Sequence, residues 1–276
     1  MNLVVQGRSL TAAQAQELAR LGGSSTLAQI NPHAWRIRKA APSDEIAPYC
    51  EKARLDFAFI PEGRKFADQQ LLAMDMDSTL ITIECIDELG DMAGCKSEIA
   101  AITAQAMRGE LDYPQSLRKR VALLRGLPET SLTRVYEERV RLTPGAEQLI
   151  AACKQHDVKL LIVSGGFTFF TERLKQRLGI DYTISNVLAT RDGTLTGELI
   201  GDIVDADAKA SKFQEIVEEL GATREQTVAI GDGANDLKMM ALAGVSIAFH
   251  AKPVVRSQAS CAINWCGLDA VLNLYE

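Results

Sequence analysis

The stretch Leu71-Leu72-Ala73-Met74-Asp75-Met76-Asp77-Ser78-Thr79 decides how the rest of the chain is read. Its apolar run lacks the polar alternation of a half-exposed strand, which suits a strand buried on both faces of a parallel sheet. The run ends in two carboxylates with one residue between them. Three later segments share the apolar run: Val158 to Gly166, closing on Ser164-Gly165-Gly166; Thr227 to Gly233, closing on Gly231-Asp232-Gly233; and Val245 to Phe249. Helical stretches separate them, one opened by Thr143-Pro144-Gly145 with a capping residue and Pro just inside. Strands alternating with helices predict an α/β fold built on a doubly wound parallel sheet. Thr190 to Gly201 carries Asp192-Gly193 between extended arms and reads as a β-hairpin. Residues from about 84 to 141 hold no convincing strand and several helical stretches, such as Tyr113 to Gly126. That segment reads as a helical cap inserted after the first strand, over the sheet's carboxyl edge.

The first 70 residues follow a different pattern. Val4-Val5 lie in a short apolar run, and Thr11 caps a helical stretch that stops at Gly22-Gly23. Extended candidates run from Ser25 to Ile30 and from His33 to Ala40, parted by the turn signal Asn31-Pro32. Pro42-Ser43-Asp44 opens a second helical stretch through Leu55; Pro48 predicts that its regular part begins there. Asp56 to Ile60 closes as a strand. The order β-α-β-β-α-β suggests a small α+β module of ferredoxin-like kind. The expected domains are therefore 1–70 and 71–276, the latter with a core of 71–83 and 142–276 and a cap of about 84–141.

Composition narrows the function. The 276 residues are 47% hydrophobic and 24% charged, enough for a sizeable core, and their length suits one large domain with an appendage or two modest ones. Thirty Lys and Arg against 36 Asp and Glu leave a net charge of −6, which argues against a partner held by bulk charge such as nucleic acid. No apolar run approaches the roughly 18 residues of a membrane span. The start of the chain lacks the basic and apolar regions of a secretory signal. Six scattered cysteines form no C-x-x-C pair, and reduced thiols in a cytoplasmic protein are the expectation. His33, His156 and His250 stand in unrelated segments. Neither G-x-S-x-G nor a P-loop is present.

The chemistry gathers at the strand ends. In an open α/β sheet the carboxyl ends of the strands converge, which would bring Asp75, Asp77, Asp232 and Asp236 together. Two like charges 4 Å apart repel by roughly 4 kcal/mol at an effective dielectric near 20. Such a group persists with a cation present or with some members protonated. Oxygen ligands without His or Cys favour Mg²⁺ over zinc. Each signature alone could be an ordinary turn, as Asp-Gly often is; three of them at strand ends in one chain argue for a site.

Asp75-Met76-Asp77-Ser78-Thr79, Ser164-Gly165-Gly166, a downstream lysine and Gly231-Asp232-Gly233-Ala234-Asn235-Asp236 resemble, in that order, the haloacid dehalogenase superfamily of phosphohydrolases. Within it, Glu84-Cys85-Ile86-Asp87-Glu88 and Gln115-Ser116-Leu117-Arg118-Lys119-Arg120-Val121 look like the phosphoserine phosphatases. The resemblance covers about 71–276. It implies Mg²⁺-dependent hydrolysis of O-phosphoserine to serine and phosphate, the last step of serine biosynthesis. It also implies a small-molecule substrate rather than nucleic acid or membrane, with a homodimer kept open.

By that resemblance Asp75 is the nucleophile, forming an aspartyl-phosphate, and Asp77 the general acid and base. Asp75, the Asp77 backbone carbonyl and Asp232 match the metal ligands, with Asp236 behind them orienting metal-bound water. Ser164 and the Gly165 amide match phosphate binders at a helix N-terminus, and Asn235 lies by the phosphate. The resemblance also implies a lysine in the phosphate site, for which Lys209 and Lys212 are the candidates; the family pattern favours Lys209. Glu84 matches the residue that binds the substrate ammonium and Arg120 the one that pairs with its carboxylate, although a run such as Arg118-Lys119-Arg120 taken alone reads as a solvated face. Met107 reads as an apolar pocket wall or as a packed core methionine. The competing functions are a phosphatase or phosphotransferase acting on another small phosphomonoester, and an amino-acid sensor whose ligand binds residues 1–70 while the rest is idle.

Overall fold

The computed structural model describes residues 1–276. Its chain starts with β1 (Asn2–Gln6), α1 (Ala12–Leu21), β2 (Leu27–Asn31), β3 (Ala34–Ile37), α2 (Ile46–Ala53) and β4 (Asp56–Ile60). These strands form an antiparallel sheet in the order β2-β3-β1-β4. Thr11 and Gln14 exchange the reciprocal bonds of a capping box at the start of α1. Helix α2 begins at Ile46, two residues before Pro48 rather than at it. Proline is tolerated there because the first-turn amides have no partner within the helix. Leu3, Val5, Leu18, Ile37, Ile46 and Cys50 share one buried cluster.

The chain continues through β5 (Leu71–Met74), α3 (Cys85–Met92), α4 (Lys96–Met107), α5 (Tyr113–Ala122), α6 (Thr130–Arg134) and α7 (Ala146–Gln155). Then come β6 (Lys159–Phe167), α8 (Thr168–Leu178), β7 (Tyr182–Arg191), β8 (Thr194–Ile200), α9 (Ala206–Leu220) and β9 (Thr227–Gly231). Helix α10 (Leu237–Leu242), β10 (Val245–Phe249), α11 (Pro253–Arg256) and β11 (Cys261–Ile263) complete it. The strands hydrogen-bond in the order β11-β10-β9-β5-β6-β7-β8. The pairs β6–β7, β9–β10 and β10–β11 are parallel, while β7 and β8 form the expected antiparallel hairpin. Strand β11 is an addition to the sequence reading; three residues are too few to show a period. No helix is long and apolar enough to cross a membrane, and all six cysteines are free.

Two compact units make up the chain. The first combines 1–72, 144–159 and 217–276. In it the N-terminal sheet is bonded to the chain's last residues by a polar seam. Asp56 accepts the backbone N–H groups of Asn264 at 2.6 Å, Trp265 at 3.1 Å and Cys266 at 2.9 Å. Arg36 donates to the carbonyls of Asn273 and Tyr275, at 3.0 and 2.5 Å. Asn273 bonds both Asn31 and Gln6 at 2.8 Å.

The second unit combines 73–143 with 160–216. Its helical segment leaves and returns side by side, with Thr82 N–H bonded to the Arg141 carbonyl and Thr143 N–H to that of Leu80, both at 3.0 Å. Helix α5 packs on β8 at Gly197, where an added Cβ would lie 2.9 Å from that of Arg125 and φ is +78°. Glycine alone suits both constraints.

Candidate active site

Strand β5 is buried throughout, and Asp75 follows its last residue. The Asp75 carbonyl accepts Leu80 N–H and that of Met76 accepts Ile81 N–H, closing a wide five-residue turn. The turn requires Ser78 to adopt a left-handed conformation, φ +57°. It leaves both carboxylates nearly buried, Asp75 at 6% and Asp77 at 9% exposed. Lys209, on α9 and fully buried, donates its ammonium to Asp75 Oδ1 at 2.8 Å. Lys212 turns instead to Glu215, an i,i+3 pair at 2.7 Å. Of the two candidate lysines the fold thus brings Lys209, and not Lys212, to Asp75. A lysine takes a fully buried place only with a partner of opposite charge.

Asp77 points elsewhere. Its Oδ1 accepts the Cys85 amide at the start of α3, at 2.9 Å. An added Cβ on Gly166 would come within 2.4 Å of Asp77 Oδ2, so the second glycine of Ser164-Gly165-Gly166 makes room for this carboxylate. Burial, and then the charge of Glu84, push the Asp77 carboxyl up to about 7; the Cys85 bond and Lys209 pull the other way. A carboxyl poised there exchanges its proton near neutral pH.

Strand β6 delivers Ser164, fully buried, four residues before the start of α8. Ser164 Oγ accepts the Gly166 amide at 2.9 Å. The Gly165 carbonyl accepts two side-chain bonds, from Asn186 at 2.8 Å and from the Tyr113 hydroxyl at 3.2 Å. Neither residue stood out in the sequence. Tyr113 opens α5 behind the Asp112–Gln115 capping box, and its phenol is pushed up to about 12, first by burial. Lys209 and Arg120 draw that value down while Asp75 and Asp77 raise it, so all four charges act on this ring. A tyrosine ahead of Pro114 in a capping box was the available signal for it; for Asn186, it was a polar residue inside an extended run.

Glu84 precedes α3 and accepts the Ser78 hydroxyl at 2.7 Å. Arg120 is half-buried in the last turn of α5, its Nε donating to the Ser116 carbonyl at 3.4 Å. Burial raises the Asp87 carboxyl and the charge of Arg120 offsets part of the rise. Met107, the last residue of α4, is 67% exposed, so the packed core methionine is ruled out.

In the first unit, Asp232 directly follows β9 and Asp236 closes the next turn. Asp236 is buried and its Oδ2 accepts the Gly233 amide at 3.0 Å. An added Cβ on Gly231 would meet Asp236 at 2.5 Å, which explains the glycine before Asp232. Carboxylates such as Asp75, Asp232 and Asp236, with no nitrogen or sulfur among them, are donors of the kind that fits a hard divalent cation. Asn235 lies in the same turn, Ala234–Asp236.

Comparison with known proteins is consistent with this chemistry. The family model described as haloacid dehalogenase-like hydrolase matches residues 72–241, and one described as a domain of unknown function matches 3–46. A curated phosphoserine phosphatase from Polaromonas sp. is 56% identical over 217 residues, covering 77% of this chain and 92% of the relative. A solved structure of a probable phosphoserine phosphatase from Vibrio cholerae, unliganded, matches with a TM-score of 0.86 and 37% identity, over 99% of this chain and 85% of the other. A structure of a phospho-aspartyl intermediate analogue of phosphoserine phosphatase matches with a TM-score of 0.71 and 39% identity, over 75% of this chain and 99% of the other.

Proposed function

The chain belongs to the haloacid dehalogenase-like hydrolases and, among them, to the phosphoserine phosphatases, and on that premise we propose how its residues divide the work. The reaction is hydrolysis of O-phosphoserine to serine and phosphate through an aspartyl-phosphate, the last step of serine biosynthesis. The observation that carries the assignment is Asp75 at the end of a buried strand with the ammonium of Lys209 at 2.8 Å. A buried cation there offsets the repulsion between an attacking carboxylate and a phosphate dianion.

Asp75 attacks phosphorus. The bond from phosphorus to the seryl oxygen breaks, its electron pair stays on that oxygen, and Asp77 supplies the proton. Asp77, now ionised, takes a proton from water as the water attacks the phosphorus of the aspartyl-phosphate. The bond to Asp75 breaks, phosphate departs, and both carboxyl groups return to their starting states. Ser164 and the Gly165 amide hold phosphate oxygens, with Asn235 beside them. Asp75, the Asp77 carbonyl and Asp232 would hold Mg²⁺, with Asp236 orienting the ion's water. When bound, the ion supplies charge neutralisation and polarises the phosphoryl oxygens. Glu84 takes the ammonium of the substrate and Arg120 its carboxylate. The test is phosphate release from a panel of phosphoserine, phosphohomoserine and sugar phosphates, with Mg²⁺ and then with a chelator. Preference for a sugar phosphate, or full activity in chelator, would refute the substrate or the metal.

A further inference from the structure

Where β6 reaches Ser164 it leaves the sheet ladder. Its register with β7 runs Leu161 to Tyr182, Ile162 to Thr183 and Val163 to Ile184, then jumps to Phe167 opposite Asn186. Ser164, Gly165 and Gly166 are bulged out, and bulged residues lose ladder hydrogen bonds. A half-buried carbonyl that has lost its ladder bond needs another partner. Asn186, 2% exposed, supplies the shorter of its two side-chain bonds: its Nδ2 donates to the Gly165 carbonyl at 2.8 Å, beside the Tyr113 hydroxyl at 3.2 Å. The other end of the same amide accepts the Val204 N–H at 2.9 Å. A flipped amide would set donor against donor and acceptor against acceptor, so the orientation follows from the partners.

Each partner leads directly to a phosphate-binding group. The peptide that follows the Gly165 carbonyl ends in the Gly166 N–H, which donates to Ser164 Oγ. The hydroxyl therefore takes that bond as acceptor, and its own O–H remains the donor a phosphate oxygen needs. On the other side, Val204 leads into Asp205, whose Oδ1 accepts the amides of Asp207 and Ala208 at 3.0 and 2.9 Å. The Asp205 carbonyl accepts Lys209 N–H at 3.0 Å, and Lys209 reaches Asp75.

We propose that Asn186 is a positioning residue whose single amide sets the spacing between the Ser164-Gly165-Gly166 loop and the first turn of α9, holding Ser164 and Lys209 in register on the phosphoryl group. The inference rests on the phosphate-binding roles given to those two residues above. Aspartate in its place would still accept Val204 N–H but would face the Gly165 carbonyl with a second acceptor. Alanine would serve neither.

The full-length chain with Mg²⁺ is assayed as wild type, Asn186→Asp and Asn186→Ala, on phosphoserine and on an aryl phosphate, well below each melting temperature. Both variants should lose ten- to hundredfold in kcat on both substrates, since a misplacement on the order of 1 Å costs as much. Inhibition by inorganic phosphate should weaken alongside, while the ratio between the two substrates stays at the wild-type value. A merely structural asparagine would lower the melting temperature and leave kcat of the folded enzyme alone. A folded Asn186→Asp with kcat within twofold of wild type overturns the inference, as does a loss confined to phosphoserine. Should neither variant fold, hydrogen exchange on the wild type decides. Added inorganic phosphate should then slow exchange at the Gly166 and Val204 amides together, and a response at Gly166 with none at Val204 overturns the coupling. A wild type inactive on both substrates overturns the proposed function, and this inference with it.

Discussion

Asp56→Ala tests whether residues 1–60 are a structural part of the enzyme. The Asp56 carboxylate is 2% exposed and is the acceptor for three backbone amides on 264–266. Alanine leaves those amides facing a small space that water can enter, so the lower end of the cost of a stranded donor applies, about 1 kcal/mol each. The sum is about 3 kcal/mol. Relief of the carboxylate's own burial, which holds its carboxyl above the ordinary range, returns part of it, leaving about 2 kcal/mol. At roughly 2–4 °C per kcal/mol for chains of this order of size, the melting temperature should fall by about 4–8 °C. Circular dichroism melts at pH 7 measure it, with turnover at 25 °C as the control for the catalytic groups. The pH dependence has a definite sign. Because the folded carboxyl binds its proton more tightly than the unfolded chain, its contribution is fully present below the unfolded value of 3.8 and is lost as pH rises through the folded value. The gap between wild type and variant should therefore widen from pH 7 towards pH 4. A melting temperature within 1 °C of wild type at both pH values would refute the seam as a source of stability.

Other outcomes follow from the site. Asp75→Asn keeps the size but removes the attacking charge, so turnover should collapse in a folded protein, and the phosphate mimic BeF₃⁻ should label wild type only; near-normal turnover would remove Asp75 as nucleophile. Arg120→Ala should cost phosphoserine turnover about ten- to a hundredfold, the worth of one charge-assisted bond, and spare an aryl phosphate without a carboxylate. Equal losses on both substrates would assign Arg120 to the phosphate or to stability instead. A chain beginning at Pro61 loses the partners of Asn264–Cys266 and Asn273 and should melt well below the full-length protein; an unchanged melting temperature would separate residues 1–60 from the rest energetically.

Sequence and tertiary structure decided different things here. The apolar runs at 71–74, 158–163, 227–230 and 245–249 were legible because a strand buried on both faces needs an uninterrupted local pattern, and the polar residues ending them marked the chemistry for the same local reason. Asp192-Gly193 placed a hairpin through its backbone preference alone. The sequence by itself therefore determined the class of fold and the residue types of the site. It did not determine which lysine meets Asp75: Lys209 and Lys212 share one helix, and only the side chain brought inward over a separation of 134 residues makes the ion pair. The same holds for Asn186 and Tyr113, which converge on a carbonyl exposed by a bulge, and for Asp56, whose partners lie more than 200 residues away. Met107, open to two sequence readings, proved largely exposed. Local pattern reports how a segment pairs with water; which polar groups satisfy one another across the fold is set by packing, since a buried donor or acceptor takes whichever partner the tertiary structure brings within reach.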